Sequence, residues 1–188
     1  YWNIPESITI GEMAPAMLAD PNYLASKNIK VLDGWGDNAD EIDPSEINWN
    51  AVANGEVTFR LRQEPGNGNA LGRMKIMFPN DYNIYLHDTP AGALFSRDDR
   101  TFSHGCIRLH KPKDMTLWVL SDHQWGMSDL QDVLDSMENT RINLKKPIPV
   151  YIVYLTAWAD DQGNIQYRDD FYNRDAGFHQ VMRPAAQS

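Results

Sequence analysis

Two stretches of this 188-residue chain hold residue types suited to acyl transfer: Ile84-Tyr85-Leu86-His87-Asp88-Thr89-Pro90 and Phe102-Ser103-His104-Gly105-Cys106-Ile107-Arg108-Leu109-His110. A cysteine becomes a nucleophile where a nearby base or positive charge raises its thiolate fraction. Cys106 has His104 two residues before it, and His87 closes an apolar run upstream. Gly105 would let the backbone come close to a substrate carbonyl and present an N–H group to it. Thiol, base and oxyanion donors are the parts of an acyl-transfer site. Taken singly, the same residues also fit a structural reading. A lone cysteine is by default a small core residue, a histidine at a strand end is usually a satisfied polar group, and Ser103 to Cys106 could simply make a turn.

The elements that must position these residues follow from periodicity and turn chemistry. Arg73 to Phe78 and Ile84 to His87 read as strands separated by the turn Pro79-Asn80-Asp81. Tyr85 is taken to face away from His87, as a core residue. Lys113 to Asp122 suits a helix. Ser128 to Met137 suits a second, with Ser128 as N-cap and Leu130, Val133, Leu134 and Met137 on one face. Pro147 to Ala157 has the composition of a buried strand, pairing with Asn164 to Arg168 across Asp160-Asp161-Gln162-Gly163.

Before Leu71 the chain is broken by Pro5, Pro15, Pro21, Pro44 and Pro65. Pro5 to Asp20 reads as a short helix with a kink or break at Pro15, and Pro21 to Lys27 as one more helical turn. Lys30 to Asp33 and Val57 to Arg62 read as strands. Asp43 is expected to cap a helix that starts at Pro44, and Gly66 to Asn69 reads as a turn. Trp35, Trp49, Trp118, Trp125 and Trp158 are expected in the core, and Met74, Met77, Met115 and Met137 in packing roles. His110, His123 and His179 have no ligand spacing and are expected in solvent.

Composition bounds the rest. Apolar residues make up 42% of the chain and charged residues 23%, as in a folded globular protein. No apolar run approaches the roughly 20 residues that span a bilayer, and no signal-peptide pattern stands at the start. The chain opens at Tyr1 without methionine and reads as a piece of something longer. A net charge of −9 argues against nucleic acid as a partner. Cys106 is the only cysteine, which rules out an internal disulfide and a cysteine-rich zinc site. The texture is mixed α/β and β-rich, with no Gly-rich phosphate loop after a strand.

The run Ser103-His104-Gly105-Cys106-Ile107-Arg108, with His87 fifteen residues before Ser103 (88 to 102 lie between), resembles the signature of the L,D-transpeptidase (YkuD-type) catalytic domain. The likeness extends to the larger, YcbB-like Gram-negative members. It runs through Trp2-Asn3-Ile4-Pro5, Gly34-Trp35, Ile42-Asp43-Pro44, Leu71-Gly72-Arg73, Leu94-Phe95-Ser96-Arg97-Asp98 and Tyr154-Leu155-Thr156-Ala157, and so covers nearly the whole chain.

The resemblance implies a β-sandwich or barrel-like core at 71–188, a capping subdomain at 1–70, and N-terminal core strands missing from this chain. Exposed sheet edges would follow from that absence. It makes Cys106 the nucleophile, His87 its general base and the Asp88 carbonyl the group orienting His87. His104, with Ser103, Gly105 and Cys106, would shape the site and its oxyanion region. Many family members have Asn where Arg108 stands. Arg108 fits either an ion pair with Asp98 or Asp99 or a clamp on a substrate carboxylate.

The implied reaction attacks a peptidoglycan tetrapeptide stem and passes the acyl group to a neighbouring diaminopimelate amine, giving a 3→3 cross-link. It needs no cofactor and no metal, takes place in the periplasm, and is open to carbapenems. The rivals are an L,D-carboxypeptidase or amidase using the same thioester, a variant attaching a lipoprotein to the wall, and a non-catalytic wall-binding module.

Overall fold

The structure, a computed structural model, describes residues 1–34, 39–103 and 105–177. Trp35, His104 and His179 lie outside the described residues. Two compact units follow one another, Tyr1–Ile148 and Pro149–Ser188.

The first unit opens with a short strand, β1 (Trp2–Ile4), and then a helical stretch. The helical stretch runs α1 (Glu6–Ile8), a π-helical turn over Thr9–Met13, and α2 (Ala14–Ala19). The expected irregularity at Pro15 is therefore a widened turn and not a break. Pro15 has no N–H to bond back one turn, and Ala14 N–H reaches Thr9 O in the i→i−5 pattern just before it. After α3 (Tyr23–Ser26) come β2 (Ile29–Leu32), β3 (Glu41–Ile42), α4 (Trp49–Ala53) and β4 (Arg60–Gln63). The strands form an antiparallel sheet in the order β1-β4-β2-β3. Leu24, Val31, Val52 and Leu61 are fully buried in the cluster between this sheet and the helices. Asp43 accepts the Ser45 N–H at 2.9 Å, as its capping role requires, over a single 3-10 turn at Pro44–Glu46.

One buried polar knot carries the chain from this sheet to the next segment. Gln63, at the end of β4, accepts the Ala70 N–H at 2.8 Å. Asn69, 4% exposed, accepts the Leu71 N–H at 2.9 Å and donates to the Glu64 carbonyl at 3.0 Å. The expected turn at 66–69 is thus clamped at its exit.

A second sheet holds β5 (Lys75–Ile76), β6 (Leu86–His87) and β7 (Ile107–Arg108) in that order. β5 and β6 are antiparallel, and β6 and β7 parallel. Two helices follow, α5 (Pro112–Val119) and α6 (Met127–Asp135). The cap of α6 is Gly126 and not Ser128. The Asp129 carboxylate accepts the Gly126 N–H at 2.7 Å, which starts the helix before Ser128. Leu130 and Leu134 are buried as expected, whereas Met137 lies past the helix end and is exposed.

The second unit departs most from expectation. Of the strand expected over 147–157, only its end joins a ladder: β8 (Ala157–Ala159) pairs with β9 (Ile165–Tyr167) across 160–163. Tyr151, Ile152, Val153 and Leu155 are exposed. Their composition favours a sheet interior, but no strand among the described residues pairs with them. The described residues form three sheets, two in the first unit and the β8–β9 pair in the second. Helical residues outnumber strand residues among the described residues, so the fold is mixed α/β with several sheets and not β-rich. Trp118 and Met77 are exposed and not core. His123 is half-buried, with Nε2 shielded and unpartnered, and not solvated. No helix among the described residues is long and apolar enough to cross a membrane.

Candidate active site

The three-stranded sheet sets the site. Lys75 pairs with His87 on one side, and Arg108 pairs with His87 on the other. Residues directly opposite on neighbouring strands project to the same face. Along a strand, side chains two apart share a face. Tyr85 therefore lies on the His87 side, which corrects its expected outward orientation, and Leu86 faces the opposite way. The Tyr85 and His87 rings meet edge to face, 6.0 Å between centroids. Ile107 N–H donates to the Tyr85 carbonyl at 3.1 Å, which brings Cys106 level with Tyr85 at the lower end of β7.

His87 is 4% exposed. Its Nδ1 bonds the Asp88 carbonyl oxygen at 2.5 Å. A carbonyl can only accept, so Nδ1 carries the proton and Nε2 is left with its lone pair. Burial lowers the His87 pKa below the ordinary imidazole value of 6.5; the nearby Arg108 lowers it further, against the opposing pull of the Asp88 bond. The shift favours the neutral ring.

The position of Asp88 depends on a glycine. Gly72 has φ +62°, and a Cβ there would lie 2.4 Å from the Asp88 carboxylate. That carboxylate accepts Arg73 N–H at 2.9 Å and Thr89 N–H at 2.7 Å. Asp88 N–H in turn donates to the Met74 carbonyl at 2.9 Å. The expected Leu71-Gly72-Arg73 segment thus folds directly onto the residue that holds His87.

Cys106 is half-buried, with Sγ 4.0 Å from the Asn83 carbonyl. Burial first, then the adjacent Cys106 thiol, raises the Tyr85 pKa, so its hydroxyl keeps its proton. The Trp2 side chain also reaches this hydroxyl. No hydrogen bond joins His87 to Cys106 among the described residues; catalytic bonds in free enzymes are often long and tighten around substrate. Gly105 has φ +129° and donates its N–H to Ser103 Oγ at 3.2 Å. In this state that N–H serves the turn, not an oxyanion.

Arg108 forms no ion pair with Asp98 or Asp99. Asp99 instead accepts the Thr101 N–H and hydroxyl. Among the described residues the Arg108 guanidinium makes one bond, to the Phe102 carbonyl at 3.3 Å, and its buried Nε has no partner. Lys75 donates to the Tyr1 carbonyl at 3.3 Å, and its ammonium sits 5.0 Å from the Tyr1 ring centroid and 5.7 Å from that of Tyr85. Lys75 is absent from the sequence expectations; its place beside His87 is set by the strand register. A cavity of about 420 Å³ borders the site at Asp88 and is lined also by Arg73, Met74 and Leu134 among others; neither Cys106 nor His87 lines it.

The sheet brings Cys106, Tyr85, His87, Asp88 and Arg108 into one neighbourhood. Thiol, neutral base, hydroxyl donor and cation can together perform acyl transfer. Comparison with known proteins agrees in kind. Residues 1–152 match the family described as "L,D-transpeptidase catalytic domain" (YkuD). A Haemophilus influenzae protein named "Putative L,D-transpeptidase" is 36% identical over 174 residues, which cover 93% of this chain and 34% of that relative. The chain thus spans about a third of the relative's length.

Proposed function

Because the chain belongs to the YkuD family of L,D-transpeptidase catalytic domains, we propose that it forms 3→3 cross-links in peptidoglycan through a thioester on Cys106. The observation that carries this reading is the His87 Nδ1 bond to the Asp88 carbonyl, which leaves Nε2 as the ring's proton acceptor. The Cys106 proton passes to His87 Nε2 as sulfur attacks the carbonyl before the terminal D-alanine of a tetrapeptide stem. The Tyr85 hydroxyl and the Cys106 N–H stabilise the oxyanion. His87 then protonates the departing D-alanine amine, the C–N bond breaks and the thioester remains. The side-chain amine of a diaminopimelate on a neighbouring stem attacks it. His87 takes that amine's proton, the new amide forms and the thiolate is released.

Arg108 holds a substrate carboxylate in this scheme, and His104 is assigned a supporting role toward the oxyanion. Residues 1–70 act as a cap, with Trp2 reaching the Tyr85 hydroxyl. The substrate places the enzyme in the periplasm.

A thiol in such a site also opens a strained lactam. Intact-protein mass spectrometry after carbapenem treatment tests this: one drug mass is expected, on the peptide containing Cys106, and none in Cys106→Ser. An adduct that survives in Cys106→Ser moves the nucleophile elsewhere.

A further inference from the structure

We propose that Lys75 and Arg108 form a two-cation clamp on the catalytic face, holding one carboxylate on each side of the carbonyl that Cys106 attacks. This deepens the transpeptidase reading and rests on it for the identity of the donor. The register carries it. Lys75 and Arg108 are the two residues paired with His87, one from each neighbouring strand. Their side chains therefore stand on either side of the base, with backbones about 10 Å apart across two strand spacings.

Neither cation has an acidic partner among the described residues, whose ion pairs are Lys30–Glu41, Arg62–Glu64 and Arg73–Asp135. Each instead holds one neutral carbonyl at 3.3 Å, Tyr1 for Lys75 and Phe102 for Arg108. The buried, unpartnered Nε of Arg108 is a donor without an acceptor. Such a group is costly in a folded protein unless a ligand completes it. Burial beside the aromatic rings lowers the Lys75 pKa, which an arriving carboxylate would offset.

Two cations without acidic partners, one on each side of the base and beside the strand that carries Cys106, fit a ligand with an anionic group on each side of its electrophile. The proposed donor has that pattern. Its leaving D-alanine ends in a carboxylate, and its acyl side bears another. Arg can bind one with two parallel hydrogen bonds, while Lys offers a point charge to the other.

A reagent pair separates charge recognition from peptide chemistry. Iodoacetate and iodoacetamide alkylate the same Cys106 sulfur, forming a C–S bond and expelling iodide, but only iodoacetate is anionic. Rates followed by mass spectrometry, each divided by the rate with N-acetylcysteine, should favour iodoacetate in the parent. Lys75→Met and Arg108→Met should each reduce that preference roughly three- to tenfold, less so at high salt, and Lys75→Arg should keep it. A preference equal to the parent's in both Met variants, with folding verified by circular dichroism, overturns the clamp.

With peptides, the tetrapeptide should exceed its C-terminal amide by tenfold or more in kcat/KM, and one Met variant should erase the difference. A difference that persists in both overturns the clamp. Cross-linking without any charge preference removes the clamp alone. Charge preference without peptide turnover supports the clamp and removes the transpeptidase reading.

Discussion

The Asp88 carbonyl accepts the Nδ1 proton of His87, and this one bond decides which ring nitrogen is free to act as a base. In the proposed mechanism a backbone carbonyl does the work that a carboxylate does in many hydrolase triads, fixing tautomer and orientation without adding charge. Removing the imidazole should then slow carbapenem acylation by roughly 10²–10⁴-fold, the usual contribution of a positioned general base. His87→Ala followed by stopped-flow acylation checks this, and a rate equal to the parent's excludes His87 as the base.

Gly72 is predicted to matter through Asp88. Its φ of +62° and the 2.4 Å approach of the Asp88 carboxylate leave no room for a side chain. Gly72→Ala should cost about 1–3 kcal/mol in a denaturant melt. It should also slow acylation, because the displaced Asp88 no longer holds the ring. A variant with parental stability and rate would show that Asp88 is not fixed by this contact.

The pH profile follows from the lowered His87 pKa. A base whose proton leaves below 6.5 stays active as pH falls through 6.5 and loses activity only further down. Arg108 is one of the causes of that lowering, so Arg108→Leu should move the midpoint upward. An NMR titration of the His87 ring in parent and variant reads both. A midpoint unchanged by the substitution would mean that Arg108 does not act on the ring.

Tyr85→Phe keeps the ring against His87 and removes the hydroxyl beside Cys106. Loss of one oxyanion donor costs up to about 10²–10³-fold. Single-turnover acylation should slow toward that range with the thermal melt unchanged. A parental rate would leave Tyr85 as a packing residue.

How much of this was legible in the sequence can be traced residue by residue. The strands β5 and β6, both helices after the cysteine and the turn between β8 and β9 followed from periodicity and turn residues, which are local signals. Tyr85 was misplaced although the rule was at hand, since residues two apart on a strand share a face. Lys75 was missed because its importance comes from register, a non-local property that one strand read alone does not reveal. The strand expected at 147–157 failed for a related reason. Val150 to Leu155 have the right composition, but a ladder needs a partner, and none of the described residues supplies it. The α6 cap shifted because an acidic residue one turn in, Asp129, competes with a serine hydroxyl and binds the earlier N–H.

The central claim, a Cys106 thioester passed to an amine, is tested most directly by mass spectrometry of the protein and its products after incubation with disaccharide-tetrapeptide. The account predicts release of D-alanine, a transient acyl mass on the peptide containing Cys106, and dimers joined between diaminopimelate residues. D-Alanine release with monomeric tripeptide as the product would contradict transpeptidation and identify a carboxypeptidase. No release and no acyl mass would contradict covalent catalysis at Cys106 itself.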